Sequence, residues 1–198
     1  GDAQSLEAGL KTLAFLKRFR TPRGAQTWEV PLHTPDILAS AQAVWALVRA
    51  YQLTGDAAHL VQARRWAITG LPFVYQWSNQ PIMMYATTPV YGATNWRAPN
   101  WIGLPVQWCG TVYAYALLLL SDYDQTLDWR KVAEGILICG EQMQYPDGPS
   151  IGCLPDVFDL KRQQRRPADI NPGALVSLRL RLNGKLDALA VGTNGEQR

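Results

Sequence analysis

The stretch that decides the fold is Gly24–Asp36, GAQTWEVPLHTPD, which runs directly into residues 37–53, ILASAQAVWALVRAYQL. The second half is apolar or small on nearly every side: Ile37, Ala41, Val44, Val48 and Tyr51 share one face, and alanines are spread around the rest. Such a helix has to be packed from several directions, so the chain needs a helical body around it. The first half gathers Trp28, Glu29, Pro31, His33, Pro35 and Asp36 into a connection. Thr34 is read as the helix cap, with Pro35 at the first helical position and Asp36 in the first turn, where a carboxylate meets the positive end of the macrodipole. Asp36 is thus either a dipole partner or a site residue. Glu29 and His33 stand on a loop beside a helix start, where a scaffold commonly holds polar ligands.

Working outward, residues 5–19 form an amphipathic helix stopped by Thr21-Pro22-Arg23-Gly24. After Thr54-Gly55-Asp56, Asp56 caps a third helix over 57–68, ended by Gly70 and wet on the side of Gln62, Arg64 and Arg65. Residues 71–104 carry four prolines and seven aromatic rings with little helical period, and short strands are expected near 73–77 or 83–87. Pro105 opens a fourth helix to Leu120, again apolar or small all round. Thr126 is expected to cap a fifth over 127–144, whose buried face is Val132, Ile136, Cys139 and Met143. A third long loop spans 145–171 and contains Asp156 and the basic run 161–166, read as solvated. Beyond it, Val176, Leu178, Leu180 and Leu182 alternate with Ser177, Arg179 and Arg181, and Asn183-Gly184 follows, the strongest two-residue hairpin signal. The expected organisation is a helical-hairpin domain over 1–172 and a β-hairpin tail over 173–198, the start of a β-domain.

Composition narrows the function classes. The 198 residues are 47% hydrophobic and 18% charged, which describes a globular chain with a real core. No apolar run is long enough to span a bilayer, so no membrane role is expected. A net charge of +3 without a clustered motif argues against nucleic acid. Cys109, Cys139 and Cys153 have no metal-type spacing, so neither a metal nor a cofactor is expected, although one Cys139–Cys153 bridge is open. The chain opens on Gly1 and reads as a processed or excised portion. Eight tryptophans and eight tyrosines are the compositional oddity, and most lie between Trp28 and Trp108. Such rings are either core plugs or flat platforms for sugars.

The connections alternate long and short, which in an antiparallel array gathers every long loop at the end where the inner helices begin. Helices two and four are then inner, helices one, three and five outer. The pairing, the phrase Ala50-Tyr51-Gln52-Leu53-Thr54-Gly55-Asp56 followed by Leu60 and Ala63-Arg64-Arg65-Trp66-Ala67, and the aromatic loops resemble the six-hairpin (α/α) toroid glycosidases and the related toroid polysaccharide lyases. The resemblance covers about residues 5–144. It implies a mainly α fold, here a partial toroid with a small C-terminal β-hairpin, and an oligo- or polysaccharide substrate held at the toroid mouth. It also implies a periplasmic or extracellular setting. The chain holds about half of the helices such a ring needs.

Hydrolysis takes two carboxylates, one to protonate the leaving oxygen and one to activate water or attack. Glu29, Asp36 and Asp156 are the candidates, expected to yield a pair about 5 to 10 Å apart. Trp28, Trp96, Trp101 and Trp108 are candidate sugar platforms, and His33, Tyr91, Asn95, Arg97 and Gln107 candidate substrate contacts. A lyase would instead draw on His33, Tyr85 or Tyr91 as base, with Asn95 and Arg97 neutralising a uronate. A non-catalytic glycan-binding or structural module would need only the aromatics.

Overall fold

In the computed structural model, residues 2–23, 35–76, 83–90 and 103–186 are described. Six α-helices and one strand pair follow in the order α1 (Ala3–Leu16), α2 (Ile37–Thr54), α3 (Ala58–Gly70), α4 (Gln107–Ser121), α5 (Trp129–Met143), β1 (Leu154–Asp159), β2 (Gln164–Ile170) and α6 (Gly173–Leu182). No helix among the described residues is long and apolar enough to cross a membrane.

The two short links make hairpins. Gly55 closes α2 in the left-handed region at φ 71°, its N–H donating to the Tyr51 carbonyl, and Asp56 Oδ1 accepts from the Ala58 N–H at 2.9 Å to start α3. α5 begins on Asp128, which accepts from the Lys131 N–H, rather than on Thr126. Thr126 is taken up by Asp124, whose Oδ1 accepts from its N–H, its hydroxyl and the Trp129 indole. These bonds, with Arg64 nearby, outweigh burial and lower the Asp124 pKa.

α4 is the centre of the body, touching α2, α3, α5, α6 and β1. Eleven of its fifteen residues are buried, against five of thirteen in α3, so the inner assignment of α4 and the outer one of α3 hold. α2 departs from expectation: eight of its eighteen residues are buried, no larger a share than the seven of fifteen in α5. It packs on α3 and α4, but Gln42, Ala46 and Arg49 stay exposed where, among the described residues, its neighbour is α1, of which Leu13 alone is buried, and Trp45 stays part-exposed beside Tyr115 of α4.

A short antiparallel ladder joins 73–75 to 85–88 through Tyr75 N–H to Ala86 O, Tyr85 N–H to Tyr75 O and Thr88 N–H to Phe73 O, within the region where strands were expected. The strand pair β1–β2 occupies what reads as the third long loop. Its basic run is mostly engaged. Arg165 Nε donates to the Met143 and Gln144 carbonyls at the end of α5, where the helix dipole favours a cation. Arg162 and Arg166 hold the buried Asp159.

The C-terminal β-hairpin is therefore real but lies earlier than the alternation at 176–182 suggested, and that segment is α6. Leu175, Leu178 and Leu182 are its buried residues, at helical spacing, and α6 packs against α4 and α5. Arg179 pairs with Glu141, Arg181 with Asp122, and Arg130 donates to the Leu182 carbonyl. Leu and Arg in strict alternation fit either period here, and packing chose the helix. Asn183-Gly184 is its stop: Asn183 is the cap, and Gly184 at φ 68° returns its N–H to the Arg181 carbonyl.

Candidate functional site at the toroid mouth

The starts of α2 and α4 lie at one end of the body, joined by the segment 83–90. Asp36 is the N-cap of α2, replacing Thr34, which lies outside the described residues. Its Oδ1 accepts from the N–H groups of Leu38 at 2.5 Å and Ala39 at 3.3 Å, and its own N–H donates to the Pro22 carbonyl. Pro35 precedes the helix in a bridge with Arg23. Asp36 is fully buried, and its Oδ2 has no hydrogen-bond partner among the described residues, a costly state for a carboxylate oxygen unless a ligand or another group meets it. The Ile37 N–H donates to the Pro89 carbonyl, and Asp36 bridges Val90, so the segment 83–90 is fastened to the start of α2.

The same segment is fastened to α4 through Gln107. Gln107 Oε1 accepts from the Thr87 N–H at 2.8 Å and from the Thr87 hydroxyl at 3.2 Å, while Nε2 donates to the carbonyls of Tyr85 at 3.1 Å and Ile136 at 2.9 Å. The amide is buried and its hydrogen-bonding capacity is spent. The expectation of a substrate contact at Gln107 is corrected: the side chain ties α5, α4 and the segment together. Two glycines make the approach possible. A Cβ on Gly110 would stand 2.2 Å from the Thr87 hydroxyl, and one on Gly135 would stand 2.5 Å from the Tyr85 ring. Tyr85, at φ 62°, is thereby laid against α5, where it packs on the core.

Asp156 reaches the mouth from the third long connection. β1 and β2 lose register between Pro155 and Val157, so Asp156 sits on a bulge, a device that re-aims a side chain. Backbone bonds from Phe158 N–H to Pro105 O and from Leu160 N–H to Gly103 O hold β1 beside the approach to α4. There the Trp108 indole Nε1 donates to Asp156 Oδ1 at 2.9 Å. A predicted platform and a predicted carboxylate, distant in sequence, are in direct contact. Asp156 is half-buried, and the described residues offer no partner to its second oxygen. Asp159, two strand positions on from Val157, is by contrast consumed: the Arg162 N–H and the Arg162 and Arg166 guanidiniums hold its pKa at about 2.

From Trp108 the part-exposed side of α4 continues through Val112 and Tyr115, at i+4 and i+7, above the buried Thr111 at i+3. With Trp45 of α2, Ala174 and Ser177 of α6, and Leu186, the last three of these line a hollow of about 310 Å³. The Trp45 and Tyr115 rings meet at 6.0 Å between centroids with 60° between their planes. Trp45 and Tyr115 carried no site assignment from sequence. Both stand in helices that read as packed rods, and the clue was the spacing of Trp108 and Tyr115, two turns apart on one face. Trp28, Glu29, His33, Tyr91, Asn95, Trp96, Arg97 and Trp101 lie outside the described residues.

No protein-family model matches the sequence, and no curated protein matches it. Solved structures do. One is the unsaturated glucuronyl hydrolase from Bacillus sp. GL1, responsible for the degradation of glycosaminoglycan, at 12% identity and a TM-score of 0.49. Another is an aspartate-to-asparagine variant of UGL with dGlcA-Glc-Rha-Glc, at 12% identity and a TM-score of 0.50. Each match covers 75% of this chain and 39% of the solved one. At that identity the second likeness speaks to fold alone: the antiparallel helical hairpins described above are a partial (α/α) toroid.

Proposed function

We propose that this chain contributes to a carbohydrate-active enzyme, a glycoside hydrolase whose carboxylates stand at the mouth of the toroid. The observation that carries the reading is the Trp108–Asp156 hydrogen bond. It fixes one oxygen of Asp156 and leaves the other for a reacting group, beside an aromatic ring able to take the apolar face of a sugar. Asp156 is one member of the pair that hydrolysis requires, and its partner comes from the first connection, Asp36 or Glu29. Asp36 brings a buried oxygen with unmet hydrogen-bonding capacity at a helix start. The substrate is an oligo- or polysaccharide. The oligosaccharide found with the UGL variant, dGlcA-Glc-Rha-Glc, is the first substrate to try, followed by saturated uronate and neutral glycans.

The test replaces Asp156, Asp36 and Glu29 singly with their amides and follows products. New reducing ends from the wild type, reduced about a hundredfold or more in Asp156→Asn and in one of the other two, are expected, since a positioned acid or base contributes on that scale. Fresh absorbance from an unsaturated product made out of a saturated uronate would identify a lyase instead. Retention of glycans without any product would make the chain a binding module.

A further inference from the structure

We infer that the hollow between α2, α4 and α6 is a second saccharide site, distinct from the carboxylate rim, and that it takes a neutral pyranose unit. Tyr115 stands seven residues beyond Trp108, so the hollow lies roughly 10 Å below the mouth along α4 at the helical rise of 1.5 Å per residue. The inference rests on the carbohydrate reading above only for the class of ligand. Its own support is local.

Two aromatic planes meeting at 60° make a corner, and a corner can hold a sugar ring by one face and one edge, which a single platform cannot. Trp45 is 38% exposed, a large share for an indole. Polar groups come with these rings. The Tyr115 hydroxyl, the Ser177 hydroxyl and the Trp45 indole N–H form no hydrogen bond with any described residue, while the buried Thr111 hydroxyl is spent on the Trp108 carbonyl. Polar groups without partners among the described residues, grouped around apolar planes, match the alternation of C–H faces and hydroxyl edges on a pyranose.

The charge of the ligand follows from what is missing around the hollow. Among the described residues its lining is Trp45, Thr111, Val112, Tyr115, Ala174, Ser177 and Leu186, with no ionisable group other than the Tyr115 phenol. A uronate carboxylate entering there would lose water without gaining a cation, and that penalty selects against acidic units. The rim and the hollow thus differ in kind. The rim acts through carboxylates, and the hollow recognises a neutral unit of the same glycan or of a neighbouring branch.

The experiment is calorimetric titration and tryptophan fluorescence of the whole chain with cello-, xylo- and manno-oligosaccharides, set against oligogalacturonate and oligoguluronate. At least one neutral probe is expected to bind, with Kd raised about tenfold by Trp45→Ala and by a smaller factor in Tyr115→Phe and Ser177→Ala, the scale of one lost aromatic contact or hydrogen bond. If Trp45→Ala fails to fold by circular dichroism, the two hydroxyl deletions decide. Binding that persists unchanged in Asp156→Asn separates this site from the rim, so the hydrolase reading can fail while this one stands. No binding of any neutral probe, equal binding of acidic ones, or affinity indifferent to Trp45, Tyr115 and Ser177 overturns the inference. So does concentration-dependent dimerisation abolished by Trp45→Ala, which would make the hollow a contact between copies.

Discussion

α4 and the C-terminal portion made of β1, β2 and α6 belong to the same body, yet they are held differently. α4 is dry: Cys109, Tyr113, Ala114, Leu117 and Leu120 have no exposed surface, and the Tyr113 hydroxyl, its pKa pushed up by burial, donates to the Ala67 carbonyl. The C-terminal portion buries Leu154, Phe158, Leu175 and Leu178 but adds charge, with Asp159 on Arg162 and Arg166 within the hairpin and Arg179 on Glu141 and Arg181 on Asp122 reaching the body. Shape complementarity is insensitive to salt and pH but intolerant of substitution. Ion pairs at a surface tolerate substitution and answer to both.

The sharpest way to break this comparison is Gln107→Leu, which keeps an approximate volume and deletes every hydrogen bond of the amide. The Thr87 N–H and the Tyr85 carbonyl lose their partner inside the core, while the Ile136 carbonyl keeps its place in the α5 helix. At about 1–3 kcal/mol for each of the two orphaned groups, a loss of about 2–6 kcal/mol is expected in urea unfolding. A loss below about 1 kcal/mol would show that α4 is not the rigid element claimed here.

A middling effect is expected from Asp159→Asn, and it should appear in acid. Because the folded pKa of Asp159 is about 2, below the ordinary aspartate value of about 3.9, the unfolded chain takes up the proton first as pH falls. The stabilisation is whole above the unfolded value and drains away between about pH 4 and pH 2. The wild type should lose stability across that window more steeply than the variant. Parallel curves would show that the charge network of the hairpin adds nothing to folding.

The smallest effect belongs to Arg179→Ala. Its partner Glu141 is about as exposed as Arg179 itself, with side-chain exposures of 36% and 37%. A loss of at most about 1 kcal/mol is expected, shrinking at high salt. A larger, salt-independent loss, read from thermal melts at low and high ionic strength, would place α6 with α4 rather than opposite it.

The same contrast explains what could be read from sequence. The α4 rod was legible because large apolar side chains surround it, whereas α2, apolar or small all round, buries only eight of its eighteen residues; the hairpin links were legible because Gly55 and Asp56 act within a few residues. α6 was not, since Leu178, Leu180 and Leu182 alternating with Arg179 and Arg181 satisfy a strand locally, and the helices it packs on, α4 and α5, are distant in sequence. The site divides in the same manner. Trp108 and Asp156 were nameable as residue types in suggestive loops, but their contact depends on a bulge that no local pattern announces. Gln107 looked like a ligand contact because a polar residue at a helix start usually faces water. Here Gly110 lets Thr87 come close enough to claim it.

That claim has a kinetic side. The segment 83–90 is bonded at one end to Ile37 and at the other to Val106 and Gln107, so neither helix start can fray alone. Opening fluctuations at the rim then involve both starts together, as one cooperative unit whose amides exchange with solvent at a shared rate. A substrate that grips either start would quiet the motion of both, and the two sides of the mouth would report one another's occupancy without any change of shape.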